Sequence, residues 1–138
     1  MIIKRMVGEK ISSSLEVTKI LRAILDEASE IDRDKEHFWV IGLRTNNTVK
    51  FIELVSLGTL SNTIIHPREV FRLSILKGVN SIILGHNHPS GDPSPSREDI
   101  HITERLKSAS DIVGITILDH VIIGSGEMYV SLKEKGQL

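Results

Sequence analysis

Apolar residues near the start of the chain recur three or four positions apart, which predicts an amphipathic helix. The residues on its apolar face are Val17, Ile20, Leu21, Ile24, Ala28 and Ile31. Ser13 and Glu16 have the spacing of a capping box at the start of this helix, and the charged residues 32–35 are expected to end it. We expect the side that carries Ile20 and Ile24 to pack on a sheet or on a second subunit.

Shorter apolar runs, separated by turn residues, predict strands and two further helices. The predicted elements are, in chain order, a strand over 38–43, a hairpin turn at Asn46-Asn47, a strand over 49–57, a short strand over 63–65, a helix that begins at Pro67 and ends near Gly78, a strand over 81–84, a helix over about 97–111, a strand over 115–123 and, after the turn Gly124-Ser125-Gly126, a strand over 128–130. The Pro/Gly/Ser-rich segment 89–95 is expected to be an irregular loop.

This alternation of helices and strands, with hairpins at both ends, predicts the α/β fold class. The expected architecture is a mixed central sheet flanked by helices, an α/β sandwich. A chain of 138 residues is expected to form a single domain. Ligand sites in such sheets lie at the carboxyl ends of strands, and two histidines, His86 and His88, closely follow the predicted strand 81–84.

Composition excludes some classes of site and favours none by itself. The hydrophobic fraction is 40% and the charged fraction 25%, both ordinary for a globular protein. The formal net charge of −1 gives no overall attraction to nucleic acid or anionic lipid. Cysteine is absent, which excludes disulfides and thiolate metal ligands. The chain has neither the apolar core of a signal peptide nor an apolar run of membrane-spanning length, so we expect a cytoplasmic protein without a membrane partner.

The segment around His86 and His88 predicts a metal site. Residues two apart in an extended segment point to the same side, so both imidazoles can reach one ion. Asp99, in the first turn of the following helix, would bring a carboxylate. Three such ligands with an open fourth position are typical of catalytic zinc. The alternatives are solvated or structural histidines, and an Asp99 that only caps its helix.

Catalysis would also need an oxyanion donor and a general base. Ser96 is a candidate for the first role, since its hydroxyl could donate to the oxyanion of a tetrahedral intermediate. Its alternative role is the N-cap of the helix, and we expect one side chain to serve only one of these roles well. Candidates for the base or proton shuttle are Glu36, Glu53, His66 and His120, and the spacing alone does not choose between them.

The pattern His86-x-His88, seven residues, Ser96, two residues and Asp99 resembles the metal motif of the JAMM metalloproteases, also called the JAB or MPN domain. The fuller run from His86 to Ser96 is similar to the RadC branch of that superfamily. Three other segments are similar as well: His66 to Val70, Leu118 to His120, and Glu127 to Gly136. The likeness covers about 34–138, so that residues 1–33 form an amino-terminal strand and helix extension.

The resemblance implies a cytidine-deaminase-like α/β fold and a Zn²⁺ ion held by His86, His88 and Asp99. It implies hydrolysis of an amide or isopeptide bond, with Ser96 at the oxyanion. The proton shuttle falls on a glutamate that opens the first core strand, which is best matched by Glu36, with Glu53 in reserve. One departure is Trp39, because the protease branch often has glycine three residues after that glutamate.

Three hypotheses for function follow. The first is a zinc-dependent metallopeptidase-type hydrolase acting on a peptide or protein, RadC-like and linked to DNA repair. The second is a zinc-stabilised, non-catalytic binding module in DNA repair or mobile-element biology. The third is a metal-dependent nuclease, although nuclease metals prefer oxygen ligands to paired imidazoles. Full-length RadC-like proteins usually carry an amino-terminal helix-hairpin-helix region, of which about one helix precedes residue 34 here. DNA association and a homodimer are further expectations.

Overall fold

The computed structural model describes residues 1–58 and 65–138. The strands are β1 (Ile2–Ile3), β2 (Glu36–Leu43), β3 (Val49–Gly58), β4 (Ser81–Asn87), β5 (Thr116–Ile123) and β6 (Tyr129–Ser131). The helices are α1 (Ser14–Asp26), α2 (Glu30–Arg33), α3 (Pro67–Lys77) and α4 (Arg97–Val113). These strands and helices follow the predicted order, and they confirm the α/β fold class.

The strands form one mixed sheet in the order β1-β3-β2-β4-β5-β6. Neighbouring strands are antiparallel except β4 and β5, which run parallel and are joined through α4. A parallel pair needs such a crossover, and a helix supplies it. In the central pair, Phe38 of β2 lies opposite His86 of β4. This register places the start of β2 beside the end of β4.

Helices cover both faces of the sheet, so the molecule has three layers. Helix α1 packs on one face through a row of buried apolar residues: Val17, Ile20, Leu21, Ile24 and Leu25. Helices α3 and α4 cover the other face, with Val70, Phe71, Leu73, Ile102 and Leu106 in the core. The Ile20/Ile24 side of α1 therefore packs on the sheet, which was one of the two expectations for it. None of the helices among the described residues is long and apolar enough to span a membrane.

Close packing of α1 on β4 depends on a glycine. A Cβ atom at Gly85 would lie 2.5 Å from Cδ1 of Leu21, well inside van der Waals contact. Leu21 is fully buried, so it has little room to move aside. Gly85 thus lets the helix approach the strand that carries His86 at its next position.

The first helix is shorter than its apolar pattern predicts. The prediction that it continues to Ile31 is wrong: α1 ends at Asp26, and α2 is a separate short helix. The Arg33 guanidinium donates to the carbonyls of Asp26 and Ala28, each at 3.1 Å, and so satisfies carbonyls at the end of α1. Ser29 caps α2 by accepting from Asp32 N–H, and Ile31 is exposed to solvent.

The other elements lie close to their predicted bounds. Asn47 adopts a positive φ of 65° in the β2–β3 hairpin turn, as the predicted turn requires. Gly78 adopts the left-handed conformation that ends α3. The predicted strand over 63–65 falls mostly outside the described residues. Only Ile65 of that segment is described, and it is buried without regular secondary structure.

Candidate metal centre

His86 and His88 lie at the carboxyl end of β4, where the sheet meets the loop over residues 89–95. Extended backbone turns both side chains to the α4 side of the sheet. Their Nε2 atoms are 3.1 Å apart. His86 is fully buried, whereas His88 is partly exposed to solvent. The pair therefore presents two nitrogens at the wall of a cleft.

Asp99 reaches the same point from the first turn of α4. Its carboxylate lies 3.2 Å from His86 Nε2 and 2.9 Å from His88 Nε2. Asp99 also completes a capping box, since one carboxylate oxygen accepts from Ser96 N–H at 2.8 Å and Ser96 Oγ accepts from Asp99 N–H at 3.0 Å. Capping and convergence on the histidines therefore occur together, although the sequence presents them as alternatives.

A hydrogen bond on the far side of the His88 ring fixes which nitrogen of its neutral form faces Asp99 without a proton. Asp92 O lies 2.8 Å from His88 Nδ1, and a carbonyl oxygen only accepts. Nδ1 of neutral His88 therefore carries the hydrogen, and Nε2 keeps its lone pair. His86 Nδ1 lies 2.7 Å from His120 Nε2, which likewise leaves Nε2 of His86 on the Asp99 side.

The electrostatics of the three residues are coupled. Burial tends to raise the pKa of Asp99, but the contacts of its carboxylate with the His86 and His88 rings outweigh burial and hold the pKa well below the ordinary value. Burial lowers the pKa of His86. The Asp99 carboxylate raises the pKa of His88 in spite of partial burial, because only the protonated ring can donate a hydrogen from Nε2 to it. Asp99 is thus anionic and His86 is neutral at neutral pH.

This donor set suits a divalent metal ion. One donor atom from each of His86, His88 and Asp99 lies within 4.8 Å of the other two. Bonds of about 2.0 Å around a tetrahedral zinc ion place its ligands about 3.3 Å apart, close to the spacing of these atoms. Imidazole nitrogen and carboxylate oxygen are both zinc ligands. The group can bind a metal ion, as the sequence predicts.

Glu36 and Ser96 line the same cleft, which has a volume of about 480 Å³. Its described lining residues are Glu36, His88, Pro89, Ser90, Asp92, Ser94, Ser96, Glu98 and Asp99. Glu36 reaches the cleft because β2 begins where the antiparallel β4 ends. The bond from Asp99 N–H to Ser96 Oγ does not use the hydroxyl proton. The structure therefore shows Ser96 as the cap, and this bond leaves the hydroxyl hydrogen available to donate.

Asn87, between the two histidines, holds the start of β2. Its Oδ1 accepts from His37 N–H at 2.6 Å, and its Nδ2 donates to Lys35 O at 3.0 Å. These two backbone groups flank Glu36 on either side. The side-chain amide of Asn87 thus fixes the backbone of Glu36 relative to β4, the strand that carries His86. This role could not be predicted from the sequence, since it depends on which strands are neighbours in the sheet.

Trp39 does not crowd the cleft. Strand residues alternate between the two faces, so Glu36 and Trp39, three positions apart, point to opposite sides of the sheet. Trp39 is fully buried on the α1 side, where it stacks on His37 with ring centroids 5.1 Å apart. The departure from the protease pattern at this position therefore leaves Glu36 unaffected.

The other base candidates lie elsewhere. Glu53 is buried in β3 and lies 3.8 Å from Arg72 of α3. His66 precedes α3. Neither residue is among the described residues that line the cleft. His120 is fully buried behind His86 rather than in the cleft, and burial holds its pKa well below the ordinary value.

The chain is similar to one protein family and to several curated proteins. The model of the RadC-like JAB domain matches residues 11–137. A UPF0758 protein of Caldanaerobacter subterraneus is 57% identical over 102 residues, which cover 74% of this chain and 43% of that protein. A UPF0758 protein of Desulfitobacterium hafniense is 50% identical over 119 residues, covering 86% of this chain and 51% of that protein. The chain thus spans about half the length of the curated relatives it matches.

Proposed function

The chain belongs to the RadC-like JAB domain family, and from this premise we propose that it is a zinc-dependent hydrolase. The proposed reaction is cleavage of an amide or isopeptide bond in a peptide or protein. One observation carries the proposal: the donor atoms of His86, His88 and Asp99 converge at a cleft that Glu36 and Ser96 also line. A purely structural metal site would not need the last two residues.

Each residue of the cleft has a chemical role in this proposal. His86, His88 and Asp99 would hold the ion, which when bound supplies a Lewis acid and lowers the pKa of water at the open position. The Glu36 carboxylate accepts a proton from the attacking water and delivers it to the leaving amine. The Ser96 hydroxyl donates to the oxyanion that develops on the scissile carbonyl.

The charge of the cleft favours a peptide over a nucleic acid as substrate. Four carboxylates line it, from Glu36, Asp92, Glu98 and Asp99, and its described lining includes no lysine or arginine. A phosphodiester would bring further negative charge to this wall, where no lysine or arginine of the described lining assists the metal ion in balancing it. Paired imidazoles are also a poorer match for Mg²⁺ than oxygen ligands are. We therefore favour the hydrolase over the nuclease.

A substitution at Glu36 tests the catalytic part of the proposal. The zinc-loaded protein is incubated with a library of internally quenched peptides and lysine-branched isopeptides. We expect Glu36→Gln to lower kcat/KM at least about 100-fold, because the proton acceptor is lost, with zinc content unchanged. Glu104→Gln, which removes an exposed carboxylate of α4, is the control and should match the parent. Full turnover in Glu36→Gln, or no cleavage of any library member by the parent, would favour the binding module.

A test of Ser96 as the oxyanion donor needs a control, because its substitution also removes the N-cap of α4. We expect Ser96→Ala to lower kcat by about 100-fold through loss of the oxyanion donor and to cost about 1 kcal/mol of stability through loss of the cap. Ser13→Ala removes the corresponding cap of α1, far from the cleft, and should cost similar stability without loss of turnover. Equal loss of turnover in both variants would mean that Ser96 acts only through the fold.

The cellular role is a separate part of the proposal. We propose a cytoplasmic protein linked to DNA repair, with a homodimer as its expected assembly. The matched segment covers only 43% and 51% of two of the relatives, so DNA association is best tested on a full-length relative. Retention of DNA by that relative, and its loss when the part outside the matched region is removed, would support the link.

A further inference from the structure

Behind the metal centre, a second histidine continues the hydrogen-bond chain into the core. His120 of β5 is fully buried. Its Nε2 lies 2.7 Å from His86 Nδ1, and its Nδ1 lies 2.6 Å from Thr103 Oγ1. Thr103 in turn donates to the backbone carbonyl of Asp99 at 2.7 Å. The chain of bonds therefore runs from one proposed ligand, His86, to the backbone of another, Asp99.

The direction of every proton in this chain follows from its end. A carbonyl oxygen only accepts, so the single hydroxyl hydrogen of Thr103 points to Asp99 O. With the hydroxyl hydrogen on Asp99 O, His120 Nδ1 would carry the hydrogen that Thr103 Oγ1 accepts. Neutral His120 consequently has a bare Nε2, which accepts from Nδ1–H of His86. The chain ends with a lone pair on Nε2 of His86, which faces Asp99.

We propose that His120, oriented by Thr103, is a positioning residue that fixes His86 in the tautomer able to bind the metal. The inference deepens the proposed function and rests on the metal centre of that function. His120 does not touch the ion or the substrate in this arrangement. It acts through the ring of His86, whose orientation and protonation it sets.

The use of an imidazole as the acceptor has an electrostatic consequence. Metal-bound histidines commonly donate to a carboxylate or a backbone carbonyl. A carboxylate behind His86 would add a second buried negative charge next to Asp99, whereas neutral His120 adds none. Phe38 seals this side, with its ring centroid 5.7 Å from that of His120 and 6.2 Å from that of His86. An apolar seal keeps water from competing for the two ring nitrogens.

The tautomers can be read directly by NMR in the metal-free protein. Two-bond ¹H–¹⁵N correlation spectra of the ¹⁵N-labelled full chain at neutral pH distinguish Nδ1–H from Nε2–H rings. We expect Nδ1–H tautomers for both His86 and His120. An Nε2–H tautomer at either residue would overturn the proposal, whatever the protein does with zinc.

Paired substitutions at Thr103 test the effect on the metal. Zinc affinity is measured by competition with a chromophoric chelator. Thr103→Val removes the hydroxyl but keeps the shape, and we expect it to weaken zinc binding about 10-fold or more and to mix the tautomers of His120. Thr103→Ser keeps the hydroxyl and should bind zinc nearly as the parent does. Parent-like affinity and an unchanged His120 tautomer in folded Thr103→Val would overturn the proposal.

A second pair of variants covers the case in which Thr103→Val does not fold. His120→Gln offers an amide oxygen to His86 Nδ1–H, whereas His120→Leu offers no acceptor. We expect the Leu variant to bind zinc about 10- to 100-fold more weakly than the parent, with the Gln variant in between. Equal zinc affinity in His120→Leu and in the parent would contradict the positioning role of His120. Failure of the parent itself to bind zinc would instead contradict the proposed function, and the NMR result would still decide the tautomer.

Discussion

The positions of the ring protons of His86 and His88 determine whether the two imidazoles can bind a metal ion. Asp92 O and His120 Nε2 both occupy the Nδ1 side of a ligand histidine, so both rings turn a bare Nε2 to the Asp99 carboxylate. When both rings are neutral, the two Nε2 lone pairs and the carboxylate repel one another, and a divalent cation relieves that repulsion. The arrangement of hydrogen bonds outside the site therefore matters as much as the three ligands.

At this scale the three proposed ligands could be predicted from the sequence, whereas most of the residues that support them could not. The ligands follow from local spacing, because a strand end and a helix start each fix the direction of nearby side chains. The role of Asn87 depends on the antiparallel pairing of β2 with β4. This pairing cannot be predicted from a local sequence pattern. Thr103 gave a signal that was not used: it lies four residues after Asp99, a spacing that places both on one side of a helix.

Glu53 provides a pH-dependent test of stability. Burial raises the pKa of this carboxyl above its ordinary value of 4.5, and Oε1 has no hydrogen-bond partner among the described residues. The ionised form is therefore disfavoured in the folded state. The resulting loss of stability is absent below the ordinary pKa, develops as the pH rises towards the folded-state pKa, and is complete above it.

We therefore expect Glu53→Gln to be more stable than the parent at neutral pH, by on the order of 1 kcal/mol. The gain should vanish below about pH 4, where the parent carboxyl is protonated in both states. Urea unfolding at several pH values measures the difference in the free energy of unfolding. Glu104→Gln, at an exposed position, is the control. A variant that is less stable at neutral pH, or a gain that persists in acid, would contradict the buried, poorly paired carboxylate.

Among the secondary-structure elements, most bounds could be predicted and the break after α1 could not. Apolar periodicity continues through Ala28 to Ile31, and it does not reveal that Arg33 caps the end of α1. The start of α2 did carry a signal, since Ser29 and Asp32 have the same spacing as Ser96 and Asp99. Capping residues thus located the helix start that carries the metal ligand, and would have located this one.

The β5–β6 turn supports the loop over residues 89–95. Gly91 O accepts from Ser125 N–H at 2.8 Å, and a Cβ at Gly124 would lie 2.3 Å from Gly91 O and 2.8 Å from Pro93 Cδ. The same loop supplies Asp92 O, which holds Nδ1–H of His88. The turn and the metal centre are therefore mechanically connected.

We expect Gly124→Ala to displace this loop and weaken zinc binding about 10-fold, the usual effect of losing a support behind a ligand. Chelator competition measures the affinity, and far-UV circular dichroism shows that the fold persists. Gly126→Asn is the matched control in the same turn, since its Cβ would meet open space and Asn tolerates a positive φ. Parent-like zinc affinity in Gly124→Ala would show that the loop is not held by this contact.

For the whole molecule, binding of the proposed metal ion would be linked to folding stability. The ligands come from β4 and α4, which are separated in sequence, so they form a site only in the folded chain. An ion that binds the folded state alone stabilises it by an amount that depends on its concentration relative to Kd. The sequence predicted the layers that bring these elements together, because alternating helices and strands allow few other architectures.

We expect zinc at about 100 times its Kd to add about 2.7 kcal/mol of stability and to raise Tm by about 8 °C. Differential scanning calorimetry with and without zinc measures the shift, and Mg²⁺ should give none because it prefers oxygen ligands. His88→Ala should lose the shift, whereas His101→Ala, on the exposed side of α4, should keep it. A shift of the same size in His88→Ala would place the ion elsewhere.

The most direct measurement of the central claim is anomalous diffraction at the zinc edge from crystals of the zinc-loaded protein. The account predicts one strong peak within about 2.0–2.2 Å of Nε2 of His86, Nε2 of His88 and a carboxylate oxygen of Asp99, with the remaining position open to the cleft. A peak bound elsewhere on the chain, or these three side chains turned apart around an empty centre, would contradict it.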